Sequence, residues 1–395
     1  MTGFIKASIL RSVKLLGLRK LFFKTPSHFL TVKEWMRDTG MQRGATLIQL
    51  HDGIKITEPA PVIIGHPITS RFTKHYSRFS PELFVASIPG GRVLGTDCNI
   101  IIAPDFRVLS DVSREFGAAG GKKPKDFSVF NSAKKMPALK KMTGNIAVIS
   151  TCGAANFHHW NYDILPRFFL LKEAGLLESI DHFLLNYRQL PFQQEGLRKL
   201  GIDEDKIINT VNRKDFYIEA ERLFVPSLIE DLGTINPWVV NFLRNNFLTE
   251  KPPLDKSFRK LYISRKTVTS RKIINEAEVM KEFKYRGYKE FIPEEFSMQE
   301  VATFFSNADS IASVHGSGLS NLVFIKEGTK VLDILAPYHQ DPYYWMIANC
   351  RHSKYVGLFA EGDHPPDDAD LVKLKIDADL LVDITKLNQA LDEIE

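Results

Sequence analysis

Residues 310–334, SIASVHGSGLSNLVFIKEGTKVLDI, decide the fold. The apolar run Ser310–Val314 reads as a buried strand leading straight into His315, Gly316, Ser317 and Gly318. A short amphipathic helix follows, and a second apolar strand, Lys330–Leu335, closes the unit. This is a βα turn whose helix opens on two glycines. Glycine lets backbone approach a ligand closely, and the first free N–H groups of a helix attract anions. The turn therefore reads as a diphosphate seat. Three better-known motifs do not fit it. Asn321 stands where a Rossmann fingerprint needs its third glycine, Ser317 lacks the GxSxG spacing, and no GK[ST] follows.

The same alternation extends upstream. Strands are expected over 261–264 and 289–291. A helix over 276–285 is capped by Asn275 with Glu278 at the capping-box position, and one over 298–307 opens on the Ser297/Glu300 capping box. A similar series starts near 144: strands over 145–150, 180–185, 207–210 and 222–225, with helices over 160–173 and 193–200. Strands alternating with helices imply parallel β/α layers. The polar, Pro-Pro-containing stretch 249–257 reads as a linker between them. The divisions expected are a basic helical segment over 1–43, a first domain over 44–250, a second over 258–375 and a C-terminal helix over 376–395. Within 44–115, strands are expected at 46–49, 62–65, 91–94 and 99–103. The Gly- and Lys-rich stretch 117–141 reads as a mobile basic loop.

Composition narrows the class. The chain has 395 residues, 44% hydrophobic and 25% charged, enough for two soluble cores. The net charge of +5 sits mostly in residues 1–43, so general nucleic-acid binding is not indicated. Residues 4–23 read as a basic amphipathic helix, able to touch an anionic membrane surface or to pack on the protein itself. No apolar run reaches the roughly 18–20 residues of a membrane span. Cys98, Cys152 and Cys350 lie far apart without a CxxC pair, which points away from a disulfide framework and toward a reducing compartment.

Three clusters carry chemistry. The first is NFHHWNYDILPR, residues 156–167, at the C-terminal end of a buried strand, where open α/β sheets place their sites. His159 and Asp163 are four apart and share a face if the helix has begun, so the pair suits proton removal from a hydroxyl. His158, His159 and Asp163 also admit a metal reading. The second is Ser264, Arg265 and, six residues on, Arg271, where guanidinium forks suit phosphate oxygens. Surface pairing with Glu276 or Glu278 is the bland alternative. The third is the glycine turn itself. The acidic triplets at Asp203/Asp205, Asp368/Asp370 and Asp377/Asp379 lack the post-strand context of a metal-binding Asp-x-Asp and read as structural.

Taken in order, NFHHWNYDILPR, LYISRKTVTSR…NEAE (261–278) and FSNADSIASVHGSGLSNLVFIKEGTKVLDI (305–334) resemble the inverting glycosyltransferase 61 family over roughly 145–340. The resemblance implies an α/β fold of GT-B type, two Rossmann-like domains facing across a cleft, behind a basic N-terminal extension. It implies transfer from a nucleotide sugar, typically a UDP-sugar, to a hydroxyl of a glycan or lipid-linked glycan, with inversion and without a required cofactor or metal. Asp163 or His159 is then the base, with His158 beside them and Asn156 and Trp160 on the acceptor side. Arg265, Arg271, His315, Gly316, Ser317 and Gly318 bind the diphosphate, and Asn321 braces the turn. Bacterial members of this kind serve capsule or lipopolysaccharide assembly, which implies a cytoplasmic protein at the inner face of the membrane. The readings outside this class are a nucleotide- or sugar-binding protein without turnover and a metal-dependent hydrolase on His158, His159 and Asp163.

Overall fold

The computed structural model describes residues 26, 28–96, 98–117, 120–131, 136–213, 215–230, 233–248, 258–366 and 377–395. The amphipathic stretch 4–23, the linker 249–257 and the Asp368/Asp370 triplet lie outside the described residues.

Two large sheets, with two short two-stranded ones beside them among the described residues, form a mixed α/β protein. In the sheet around the glycine turn, Ser310–Val314 lies between Lys260–Ile263 and Lys330–Leu335, parallel to both. Lys289–Phe291 flanks the former and Lys354–Phe359 the latter. Counted along the chain from Lys260–Ile263, the spatial order is 2-1-3-4-5, a doubly wound order. All of Ser310–Val314 is buried, as expected for a parallel strand covered on both faces. Helices Glu276–Tyr285 and Ile384–Ile394 cover one face through Val279, Phe283, Leu387 and Leu391. Val62–Ile64, from far upstream, adds a sixth parallel strand beside Lys354–Phe359. The strand expected near 62–65 thus exists but joins the sheet of the C-terminal half.

The other sheet has ten strands and mixed direction. Lys140–Val148 runs parallel to Tyr217–Pro226 and to His182–Leu185, which in turn pairs with Ile207–Asn209. The parallel reading of this stretch holds. Leu83–Pro89 and Arg92–Leu94 then pair antiparallel with Tyr217–Pro226, so the strand-rich front end widens the same sheet. Within the stretch read as a mobile loop, the described segment around Phe127 and Val129 is anchored, both being buried against Ile100, Ile102 and Tyr217. Those two apolar residues, not the lysines around them, decide its placement.

Helices Leu165–Glu173, Pro191–Leu200, Pro237–Phe247, Met298–Asn307 and Tyr343–Cys350 contribute to one apolar cluster that also takes residues from both sheets, from Phe168 and Phe183 through Val240 and Leu322 to Ile311. The front end is tied in by Trp345, whose ring packs edge-on against Phe72 and Tyr76 and whose indole N–H donates to the Pro59 carbonyl at 3.0 Å. Buried Arg78 donates to Glu58 at 2.8 Å and to the Ile235 carbonyl at 2.6 Å. Asn349 donates to the other oxygen of Glu58 at 2.8 Å.

Local signals mostly hold. Ser297 and Glu300 form their capping box. Asn275 does not cap; it bonds both the N–H and the carbonyl of Val382, which costs its helix a cap and gains a clamp between segments. Asp383, not Asp377 or Asp379, caps the last helix.

The cysteine reading is corrected. Cys98 and Cys152 are disulfide-bonded, their Cα atoms 4.8 Å apart. Beside them Asn99 donates to the Ser150 carbonyl at 2.9 Å, so folding brings together what the sequence holds apart. A bonded pair suits an oxidising compartment, and the case for a reducing one falls away. Among the described residues no helix is long and apolar enough to cross a membrane.

Candidate active site

In a 2-1-3-4-5 sheet the winding reverses between strands 1 and 3, leaving a crevice outside their C-terminal ends. Strand 1 ends at Ile263, just before Ser264 and Arg265; strand 3 ends at Val314, just before His315 and Gly316. The second and third clusters of the sequence therefore meet at the switch point. Gly316 has extended backbone, φ 175°, so what it supplies is space: a β-carbon there would lie 2.3 Å from Arg265 Nη1. The helix that follows, Ser317–Phe324, is a 3-10 helix rather than an α-helix. Asn321 donates to the Gly318 carbonyl at 3.1 Å and braces the turn.

Arg265 donates to the Ser270 carbonyl at 2.9 Å. Arg271 donates to the His315 carbonyl at 2.9 Å and to His339 Nδ1 at 2.8 Å. The Nε of each arginine is buried without a partner. Among the described residues neither pairs with a carboxylate, and the expected alternative of pairing with Glu276 or Glu278 is not realised. Burial, and then the charge of Arg271, pulls Arg265 down to about 10. Arg271 also has φ 55°, an unusual left-handed conformation that clusters at functional sites. Two guanidiniums with spare donors and no counter-charge have the chemistry that suits a doubly charged anion.

His315 is held by Asp333, Nδ1 to Oδ2 2.8 Å, and Tyr355 donates to the same oxygen at 2.8 Å. The carboxylate fixes the imidazole proton on Nδ1 and leaves Nε2 to act elsewhere. His315, His339 and Asp341 bring potential ligand atoms within 4.8 Å of one another, the one such group of three among the described residues. Both nitrogens of His339 are already engaged, by Arg271 and by Asp341 at 3.0 Å. The trio read from the sequence as a metal centre, His158, His159 and Asp163, is not assembled as a ligand group.

The first cluster lies on the helical run from Phe157 to Glu173. Asn156 caps it, accepting from the His158 N–H at 2.8 Å, so its amide oxygen is spent on the helix. Trp160–Ile164 form a wide π turn, a feature frequent at functional sites. His159 Nδ1 lies 2.8 Å from Asp163 Oδ2, as their spacing predicts. Arg114 Nη1 is 3.8 Å from the other oxygen. Burial alone would raise the Asp163 pKa; the His159 hydrogen bond and the charges of His159 and Arg114 outweigh it and hold the carboxyl below its ordinary range.

His158 departs from the catalytic reading. It stacks on Tyr162 at 4.6 Å, and its Nδ1 lies 2.9 Å from Ser320 Oγ. Burial pushes it down to about 3, so it is neutral at physiological pH. It joins the first cluster to the glycine-turn helix. Trp160, 0% exposed, is core rather than acceptor surface. Arg167 is likewise buried, donating to the carbonyls of Ile149, Ser150 and Pro226.

Tyr343 and Tyr344 link the clusters: His158 lies 4.7 Å from Tyr343 and His315 lies 4.6 Å from Tyr344, ring to ring. A small cavity opens on Arg114, His159, Asp163, Glu230 and Tyr343. A larger one, about 370 Å³, is lined by Phe157, Phe192, Phe296 and Met298 and reaches Ser317 and Asn321. Sequence reasoning missed Asp333, although a carboxylate inside the apolar strand KVLDIL was a signal. It missed Arg114 and Tyr343, which only the fold brings here.

Residues 157–332 match the family model described as Glycosyltransferase 61. No curated protein matches the chain. The matched span begins one residue before His158, ends one residue before Asp333 and contains all three clusters except Asn156. Over residues 157–332 the chain is thus similar to the glycosyltransferase 61 family, and it is a glycosyltransferase.

Proposed function

We propose that the enzyme transfers a sugar from a nucleotide sugar, a UDP-sugar in the first instance, to a hydroxyl of a glycan or lipid-linked glycan, with inversion and without a metal, in a GT-B-like arrangement serving cell-surface polysaccharide assembly. The observation that carries the reading is the convergence of Arg265 and Arg271, free of carboxylates among the described residues, on the glycine turn at the switch point. They neutralise the departing diphosphate where a metal ion would otherwise be needed. The aromatic cavity beside Ser317 and Asn321 suits the nucleoside. With Asp163 on Nδ1, His159 has Nε2 to accept the hydroxyl proton, while the oxygen attacks the anomeric carbon and the bond to the diphosphate breaks. Asp163 is then a positioning residue rather than the base itself, because a carboxylate held this acidic is a poor proton acceptor.

The test is thermal stabilisation by UDP, GDP, CMP and ADP and their sugar conjugates, with and without EDTA. A ligand at a hundred times its Kd adds about 2.7 kcal/mol. A shift with UDP compounds that survives EDTA supports the reading. A shift that EDTA abolishes removes its metal-independent part, and no shift with any nucleotide removes the donor.

A further inference from the structure

Glu230 lines the small cavity at His159 and Asp163, and it also lines a second, open groove of about 360 Å³. The groove's other walls include Lys33, Gly53, Phe79, Glu82 and Asp111. Phe79 is 63% exposed, unusual for so large an apolar side chain. It is nonetheless fixed. Its ring lies on Gly53, where a β-carbon would be 2.3 Å from Phe79 Cζ. Its strand, Ser77–Ser80, alternates exposed and buried residues. On the buried side Arg78 is tied to Glu58, and Ser80 donates to Glu230 Oε2 at 3.1 Å. The strand that presents Phe79 outward is therefore bonded to the residue that the two cavities share.

A rigid exposed ring with carboxylates around it is a particular chemistry. The apolar face of a sugar ring stacks on an aromatic ring, and its hydroxyls donate to carboxylates; binding sites pair such apolar walls with a few placed polar groups. Glu82, Asp111 and Glu230 disfavour a phosphate-bearing ligand, and the groove's single lysine, Lys33, is paired with Glu82. We propose that this groove holds the sugar rings of the acceptor beyond the one that receives the transfer, so that the acceptor is an oligosaccharide gripped over two or more rings. The proposal rests on the glycosyl-transfer reading above and adds the acceptor's length and the surface that measures it.

The experiment uses the full chain and a panel of neutral oligosaccharides of two to six rings, with their parent monosaccharides, followed by saturation-transfer NMR and titration. Phe79→Ala and Phe79→Trp are compared with the wild type, and UDP stabilisation is recorded for each. We expect at least one oligosaccharide to bind tenfold tighter than its monosaccharide. Phe79→Ala should abolish that difference and Phe79→Trp restore it, with the UDP shift unchanged in both. Affinity independent of length across the panel, or unchanged in Phe79→Ala, overturns the groove. A missing UDP shift together with length-dependent binding overturns the donor reading and leaves the groove standing.

Discussion

Arg265 occupies the space that a side chain on Gly316 would need, its Nη1 lying 2.3 Å from where the β-carbon would be. Because the Gly316 backbone is extended, Gly316→Ala introduces no φ strain and acts only by displacing the guanidinium. We expect it to weaken nucleotide binding at least tenfold, about 1.4 kcal/mol, with a melting temperature within a few degrees of the wild type. Arg265→Lys should do the same, since an ammonium cannot fork onto two oxygens. Calorimetric titration decides, and unchanged affinity in Gly316→Ala would falsify the Arg265 seat.

In the function proposed above, His159 is the base and Asp163 its positioner, joined by a 2.8 Å hydrogen bond. Asp163→Asn should lower kcat by about 10²–10⁴-fold, in line with the loss of an oriented base, and leave donor affinity within about twofold. His159→Gln should match it. If Asp163→Asn costs donor affinity as much as kcat, the carboxylate serves binding and the division fails. Measurement of kcat and donor Kd on the same preparations separates the cases.

Acid should weaken the protein before its carboxylates titrate. Burial holds His158 down at about 3 and His75 at about 4, both from 6.5. Below pH 6.5 the unfolded chain binds protons that these folded histidines refuse, so their contribution is complete above 6.5 and is lost as pH falls toward their folded values. Asp111 has the opposite sign: burial raises it from 3.8 to about 6, so its folded form keeps a proton and regains stability between about pH 6 and 4. The net loss between pH 7 and 5 should be about 2 kcal/mol. Asp111→Asn should stabilise at pH 7.5 by about 1 kcal/mol and steepen the loss on the acid side. Urea unfolding at pH 7.5, 6 and 5 tests this; a flat profile in the wild type refutes it.

The bonded Cys98–Cys152 pair predicts one titratable thiol, Cys350, in protein denatured without reductant. Reduction opens a loop spanning 54 residues and should cost about 4 kcal/mol of stability by the chain-entropy estimate. It should also cost activity, because Gly153, next to Cys152, packs on His159: a β-carbon there would lie 2.6 Å from the ring. Three thiols in the unreduced protein would remove the bond.

What was legible in the sequence follows a physical boundary. Ser310–Val314, Lys330–Leu335, Glu276–Tyr285 and Met298–Asn307 have the expected ends, because apolar runs, helical spacing, the Ser297/Glu300 capping box and the glycine turn are local signals. His159 and Asp163 were legible through helical spacing. The partner of each group was not. Asp333 beneath His315, Arg114 beside Asp163 and Cys152 bonded to Cys98 are long-range meetings that no local pattern encodes. His158 shows the converse: its residue type suggests chemistry, and its burial against Tyr162 and Ser320 makes it a joint.

The strand Val62–Ile64 stitches the chain through itself. Residues before it and after it serve the ten-stranded sheet, while the strand itself completes the sheet built from the C-terminal half. The halves are therefore not beads on a string. A fragment beginning at residue 258 would expose the edge of Lys354–Phe359, whose Tyr355 to Phe359 are buried, and an uncovered apolar edge invites aggregation. Chimaeras that exchange the N- and C-terminal parts of the chain between related enzymes will fold only if this strand travels with the part whose sheet it completes, which puts natural splice points on either side of residues 62–64.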